Sequence, residues 1–267
     1  GNRNQMIKDS ATQNKEMLMR PDEYRVMFEI ENSYWWYRGL RALLKSLLKH
    51  NLATDPSATL ILDAGCGTGA NLQMMQKYGR AIGIDISSQA IEFCHRRGIA
   101  RDRAFAASVT DLPFVGNTFD LAVSIDVICN IPDDVGAFIQ IARVLKPGGY
   151  FIVQLPAYQW LWSMHDVAVG HQRRYSARDT RAKLTQAGFQ IERVLHTNAL
   201  LLPLAIIGRM HRRRTLARGN AVESDLQMEL PRWLNAVLSV FYRAEIKLEA
   251  HIDSPFGLSV IAIAKKR

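Results

Sequence analysis

The stretch Leu60-Ile61-Leu62-Asp63-Ala64-Gly65-Cys66-Gly67-Thr68-Gly69-Ala70-Asn71-Leu72 decides the fold. Thr59–Asp63 reads as a short buried strand, three glycines at alternate positions follow, and a helix-period segment runs from about Ala70 to Tyr78. Without Cβ atoms the glycines permit a tight turn and the close approach of a ligand. Ala81-Ile82-Gly83-Ile84-Asp85 reads as a second strand, and Asp85 ends it twenty residues beyond Gly65. A carboxylate at that place accepts hydrogen bonds from both hydroxyls of a ribose.

Outward from this unit the alternation continues. Helical segments are expected over Ser88–Arg97, Ala137–Leu145 and Arg178–Ala187, and strands over Arg103–Ala107, Phe119–Ile125, Tyr150–Leu155 and Phe189–Leu195. Lys146-Pro147-Gly148-Gly149 stops the second of these helices and Gly188 the third. Strands alternating with helices imply a doubly wound parallel sheet with ligands at the carboxyl ends of its strands. Upstream, Pro21 opens a helix to about Asn32, and Ser33 is expected to cap a second, Tyr34–His50, with leucines at 40, 43, 44, 47 and 48 on one face. Downstream, a helix over Pro231–His251 and a last strand over Gly257–Lys265 complete the reading. The domain plan is an N-terminal helical cap (1–50), a nucleotide-binding core (51–198), a helical lid insertion (199–252) and a final core strand (253–267).

Gly65-x-Gly67-x-x-Ala70 also fits the dinucleotide fingerprint. Asp63, two residues before the first glycine, separates the readings. A carboxylate there suits a cationic amino group and repels a pyrophosphate. S-adenosylmethionine (SAM) carries such an amine and no phosphate. Four markers then stand in order: Asp63–Gly69; Gly83-Ile84-Asp85-Ile86-Ser87; Asp111-Leu112-Pro113-Phe114 with Phe119-Asp120; and Leu145–Gly149. With them the chain resembles the class I SAM-dependent methyltransferases, in the broad group of quinone-biosynthesis and small-molecule enzymes, over roughly residues 35–196 and the final strand.

That resemblance implies an α/β, Rossmann-like, seven-strand sheet, mostly parallel, with an antiparallel last strand. It implies SAM as cofactor and S-adenosylhomocysteine as product, with no metal. Asp63 and the turn residues Gly65, Cys66, Gly67 and Gly69 would hold the methionine end, Asp85 the ribose, and Ile86 the adenine. Relatives often carry Asp at the position of Ser108, so here Ser108-Val109 gives a weaker adenine contact. Asp126, ending the fourth strand, is a further cofactor candidate. Many relatives show Glu-His or His-His after that strand; this chain has Cys129-Asn130 and so lacks a catalytic histidine there.

Composition bounds the rest. The 267 residues are 48% hydrophobic and 22% charged, ordinary globular values that exclude a disordered or collagen-like chain. Three cysteines without a CxxC pair argue against a disulfide framework or a zinc site. Residues 1–25 lack the apolar core of a signal peptide, and no run reaches the ~20 apolar residues of a membrane span, so a cytoplasmic location is expected. The net charge is +9, and the segment 170–218, with eleven Lys/Arg against two acids, holds the whole excess. Such a zone suits an anionic substrate, a nucleic acid or a membrane surface, or is a solvated face.

The acceptor side is read from three places. Trp36, Tyr37 and Arg38 either close over the cofactor or, with Trp35, bury against the sheet; an aromatic face suits a sulfonium. After the fifth strand stand Met164-His165-Asp166 and Gly170-His171-Gln172-Arg173-Arg174-Tyr175. His165 and His171 are the candidate bases, and Tyr158, Trp162, Arg174 and Tyr175 the candidate substrate contacts. The alternative is that these histidines and arginines bond loop carbonyls and Asp166. Ala199–Ile207 followed by His211-Arg212-Arg213-Arg214 is either a docked lid or a peripheral membrane contact over 199–214. Together with Tyr158–Tyr175, the insertion is expected to form the acceptor lid, Trp160, Trp162 and Val167 covering its apolar start. Function is expected to be methyl transfer to an O, N or C nucleophile of a small metabolite, lipophilic or anionic. A SAM-binding protein that does not methylate is the alternative. A nucleic-acid methyltransferase has only the basic zone in its favour, since no Asn/Asp-Pro-Pro-Tyr signature is present.

Overall fold

In the computed structural model, residues 21–51, 55–203, 205–206, 231–249 and 254–267 are described. Two helices come first, α1 (Pro21–Ile30) and α2 (Trp35–Asn51). The core then runs β1 (Leu60–Ala64), α3 (Ala70–Met75), β2 (Arg80–Asp85), α4 (Ser88–Arg96), β3 (Ala104–Ala106), β4 (Phe119–Ile125), α5 (Asp134–Val144) and β5 (Leu145–Pro156). A short helix α6 (Met164–Ala168), α7 (Ala177–Gln186), β6 (Phe189–Thr197), α8 (Arg232–Glu249) and β7 (Ser259–Lys266) complete it. The seven strands form one sheet in the order β3-β2-β1-β4-β5-β7-β6. β7 runs antiparallel to both β5 and β6, and the other pairings are parallel. The expected sheet is therefore present, closing hairpin included.

Strand alternation divides the core in two. From β4, Ala122 joins Leu62, Val153, Phe138 and Leu184 under α5 and α7. Its neighbours Leu121 and Val123 join Ile61, Ile152 and Ile263 on the opposite face. There the leucine stripe of α2 packs beside Tyr242 and Ile246 of α8. Leu44 and Leu48 are fully buried, each contributing about 1.5–3 kcal/mol. The sheet thus buries apolar side chains on both faces and leaves its polar business to the carboxyl edge.

Four boundaries depart from expectation. Ser33 Oγ donates to Ile30 O at 3.2 Å, closing α1 instead of capping α2. α3 stops at Met75 because Lys77 and Tyr78 donate to Met74 and Met75, three residues back, which tightens the chain into turns. α5 starts at Asp134, three residues early, since Asp133 accepts the Gly136 N–H at 2.9 Å and caps it. β5 begins at Leu145, so Lys146-Pro147-Gly148-Gly149 lies in the strand at its register shift against β4.

Candidate active site

The glycine turn leaves β1 in a backbone that only glycine adopts cheaply. Gly65, Gly67 and Gly69 have φ of +93°, +52° and +89°. A Cβ on Gly65 would stand 2.2 Å from Val127 Cγ2, so the turn is pressed against the chain leaving β4. The N–H groups of Gly65 and Cys66 both donate to Ile84 O at 2.8 Å, tying the turn to β2. Cys66 Sγ lies 3.9 Å from Cys94 Sγ beneath the turn, and both thiols are buried.

Two carboxylates frame the turn. Asp63, at the end of β1, is only 2% exposed, and its Oδ2 has no hydrogen-bond partner among the described residues. Burial first, then the charge of Asp85, pushes its carboxyl up to about 8. Asp85 ends β2. Its Oδ2 accepts the Gly67 N–H at 3.0 Å and its Oδ1 the Ser87 N–H at 2.9 Å. Burial raises it as well, against these two bonds. An isolated buried carboxylate is costly, and a cation donating hydrogen bonds to Asp63 would remove that cost. The turn and its acids therefore fit a ligand with an amine at one end and a diol at the other. Residues 62–153 match the family model described as Methyltransferase domain.

Over that stretch the chain is similar to the class I SAM-dependent methyltransferases.

Its relatives are similar in part only. Cycloartenol-C-24-methyltransferase 1 of Oryza sativa subsp. japonica is 34% identical over 114 residues, 39% of this chain and 31% of that protein. Demethylmenaquinone methyltransferase of Tropheryma whipplei (strain Twist) is 35% identical over 96 residues, 35% of this chain and 40% of that protein. The chain thus spans well under half the length of these relatives. Among solved structures, the putative methyltransferase complexed with the Haloferax volcanii Trm112 activator superposes with a TM-score of 0.59 at 16% identity, over 92% of this chain and 97% of that one. At that identity the likeness speaks for the fold alone.

The residues expected on the cofactor side are arranged as follows. Ile86 is partly exposed beside Asp85, and Val109 is buried. Ser108 Oγ lies 2.8 Å from Thr110 Oγ1, a local turn contact. Asp126 follows β4 in the left-handed region, φ +55°, rare for a non-glycine residue. Its Oδ2 accepts from Gln154 Nε2 at 2.9 Å, while its Oδ1 is buried without a partner among the described residues. Burial raises this carboxyl, and the nearby His171, Gln154 and Arg174 oppose that. Burial first, then the charges of Glu31, Asp126 and Glu23, holds the Tyr37 hydroxyl above its ordinary range. Trp36 packs on Tyr242 and edge-on to Trp35, and Arg38 is exposed.

On the acceptor side, His171 Nδ1 stands 2.8 Å from Asp166 Oδ1, and Arg174 Nε donates to the same oxygen at 2.7 Å. Asp166 also accepts the Ser163 N–H at 2.7 Å. Burial would lift its carboxyl, but the His171 and Arg174 bonds outweigh it and hold it well below the usual carboxylate range. With a carboxylate at Nδ1, the imidazole keeps its proton there and offers Nε2 as acceptor. His165 meets His171 edge-on with ring centres 6.2 Å apart. Arg174 spends its remaining reach on Ala157 O at 3.1 Å. Tyr175 is buried and donates to Asp134 Oδ2 at 2.8 Å, in a cluster with Arg173 and Lys183. Tyr158, at φ +58°, stacks between Trp160 and His196, and Trp162 is half-buried. Trp160 and Val167 are more than half exposed.

Sequence reasoning missed what α1 does. Tyr24 hydrogen-bonds Ser87 and senses Asp85, and Met27 Sδ is 3.4 Å from where a Gly67 Cβ would be. Glu31 is buried and takes Thr68 Oγ1 and Arg97, while its carbonyl takes Arg41. Glu23, Tyr24, Met27 and Glu31 recur at helical spacing, but a carboxylate such as Glu31 on an inward face reads as solvated until its cation Arg97, 66 residues away, is placed.

Proposed function

We propose that this chain binds SAM and moves its methyl group to an O, N or C nucleophile of a small, lipophilic metabolite. The observation that carries the reading is the buried, unpartnered Oδ2 of Asp63 beside the glycine turn and Asp85. Asp63 would receive the amino group of SAM, the turn its backbone, and Asp85 its ribose hydroxyls, with Ile86 and Val109 flanking the adenine. Bound SAM supplies an already activated methyl cation equivalent, so positioning provides much of the acceleration. Asp166 holds His171 with Nε2 free to take a proton from an acceptor hydroxyl or amine. His171 is the proposed base, Asp166 and Arg174 position it, and Tyr37 and Asp126 close the edge between base and cofactor. Tyr158, Trp162 and the apolar segment from Ala199 would enclose the acceptor, with His165 at its rim. The names of the sterol and menaquinone relatives support a lipophilic acceptor. No helix among the described residues is long and apolar enough to cross a membrane, so such a substrate would be met from one side.

Methyl transfer from labelled SAM to quinol, sterol and fatty-acid panels tests the proposal. Turnover on a lipophilic acceptor supports it. Tight SAM binding with no transfer to any acceptor makes the chain a non-methylating SAM binder, and NADH binding in preference to SAM removes the cofactor assignment. Asp85→Ala should weaken SAM by about 10- to 150-fold, since hydrogen bonds to charged groups are worth about 1.5–3 kcal/mol.

A further inference from the structure

The helix α8 has two apolar faces. One, with Ser239, Tyr242 and Ile246, is buried against α2. The other is turned to solvent: Trp233, Val237, Val240, Phe241 and Leu248 are all exposed, Trp233 by 68% and Val240 by 66%. At 3.6 residues per turn these five fall within an arc of about 100°, opposite the buried face. Arg232, Arg243 and Lys247 lie along one border of that arc, and every one of the three is exposed. No carboxylate belongs to the exposed residues between positions 232 and 248; Glu245 there is buried. Ala199 N–H donates to Glu245, which seats the apolar segment from Ala199, including half-exposed Leu200, beside α8. In the sequence, five arginines follow that segment between positions 209 and 218.

We infer that this face of α8 docks on an anionic lipid bilayer. An exposed apolar stripe about 23 Å long needs a partner. The chemistry of its border chooses among partners: an apolar arc edged by cations and free of acids matches a surface with an apolar interior and negative headgroups. A second copy of this chain would set the three cations of each helix against those of the other. The inference stands on α8 alone and holds whichever acceptor is methylated.

Cosedimentation of the full chain with vesicles tests it, using equal parts phosphatidylcholine and phosphatidylglycerol, with phosphatidylcholine alone in parallel. The chain is expected to sediment with the mixed vesicles at low salt and to stay in solution with the neutral ones. Trp233→Glu combined with Phe241→Glu should lower binding more than tenfold, with unchanged circular dichroism and SAM affinity. Arg243→Ala, which leaves the apolar arc intact, should lower it about five-fold. Binding that ignores the anionic lipid, or that survives the double substitution, overturns the inference. So does a chain that ignores both vesicles and self-associates through this face, losing that association on the double substitution.

Discussion

Asp63 is a carboxyl that folding loads with a proton. Its burial and the charge of Asp85 raise it to about 8, so most chains carry it neutral at pH 7. A cation placed against Oδ2 favours the carboxylate, and binding must expel that proton. SAM affinity is therefore expected to rise up to about tenfold per pH unit below pH 8 and to flatten above it. Calorimetry at pH 7 in buffers of different ionisation heat should show close to one proton released, and Asp63→Asn should abolish the buffer dependence. On the other side of the site, His171→Ala should lower turnover ~10²–10⁴-fold with SAM affinity unchanged. Asp166→Asn loses the anion that orients the imidazole, so kcat should fall with KM and SAM affinity unchanged, and Asp166→Glu should restore part of it. A merely structural Asp166 would instead move the melting temperature and KM together with kcat. Single residues were legible where they punctuate a strand end, as Asp63 and Asp85 do. Tyr175 was not: an Arg-Arg-Tyr run says nothing of the buried Asp134 that takes its hydroxyl. For Arg174 the alternative reading, a bond to nearby Asp166, is the one the structure has.

Among the elements, the pairing of α2 with α8 depends on one glycine. A Cβ on Gly39 would stand 1.7 Å from the Tyr242 ring, so the helices approach as closely as they do because nothing projects there. Gly39→Ala is expected to cost about 1–3 kcal/mol by overpacking, read as a lowered denaturation midpoint. Adding Tyr242→Leu should return part of it; no recovery would show that the contact is not what limits the approach. The central strands β1 and β4 could be read from their apolar runs, because a strand buried on both faces needs little but Val, Ile, Leu and Ala. What the pattern hid were the ends: Ser33 looks like a forward cap, and only the position of Ile30 O shows it bonding backwards. The pairing of α2 and α8, some two hundred residues apart, left no local trace. Asn235 joins them by accepting the Trp35 N–H at 2.8 Å and donating to Ser33 O at 3.0 Å.

For the whole molecule, two sets of acids pull stability in opposite directions with pH. Asp166 and Asp134 are held below their unfolded values, against their burial, by Arg174 and His171 and by Lys183, Tyr175 and Arg173. Their contribution is complete above about pH 4 and is lost as pH falls through the lowered values. Asp63 and Asp85 are held above their unfolded values by burial, so the protein takes up protons on folding and loses stability as pH climbs from about 4 towards 8. Without cofactor the melting temperature should peak at mildly acidic pH. Saturating SAM, which stabilises the ionised Asp63, should shift the peak towards neutrality. A ligand-free chain most stable above pH 8 would contradict these assignments. Of the expected lid insertion, residues 204, 207–230 and 250–253 lie outside those described.

The contacts of α1 carry a kinetic consequence. Tyr24, Met27 and Glu31 fasten this helix across the glycine turn through Ser87, Gly67, Thr68 and Arg97. On the proposed function, SAM would reach Asp63 only as that clasp loosens, and the product would leave the same way. Association measured by stopped flow should then level off with rising SAM concentration instead of climbing without limit. The plateau is the clasp's own opening frequency, and Glu31→Gln, by slackening it, should raise that plateau. On the proposed function, a helix clasp of this kind would set turnover by how long it holds the spent product.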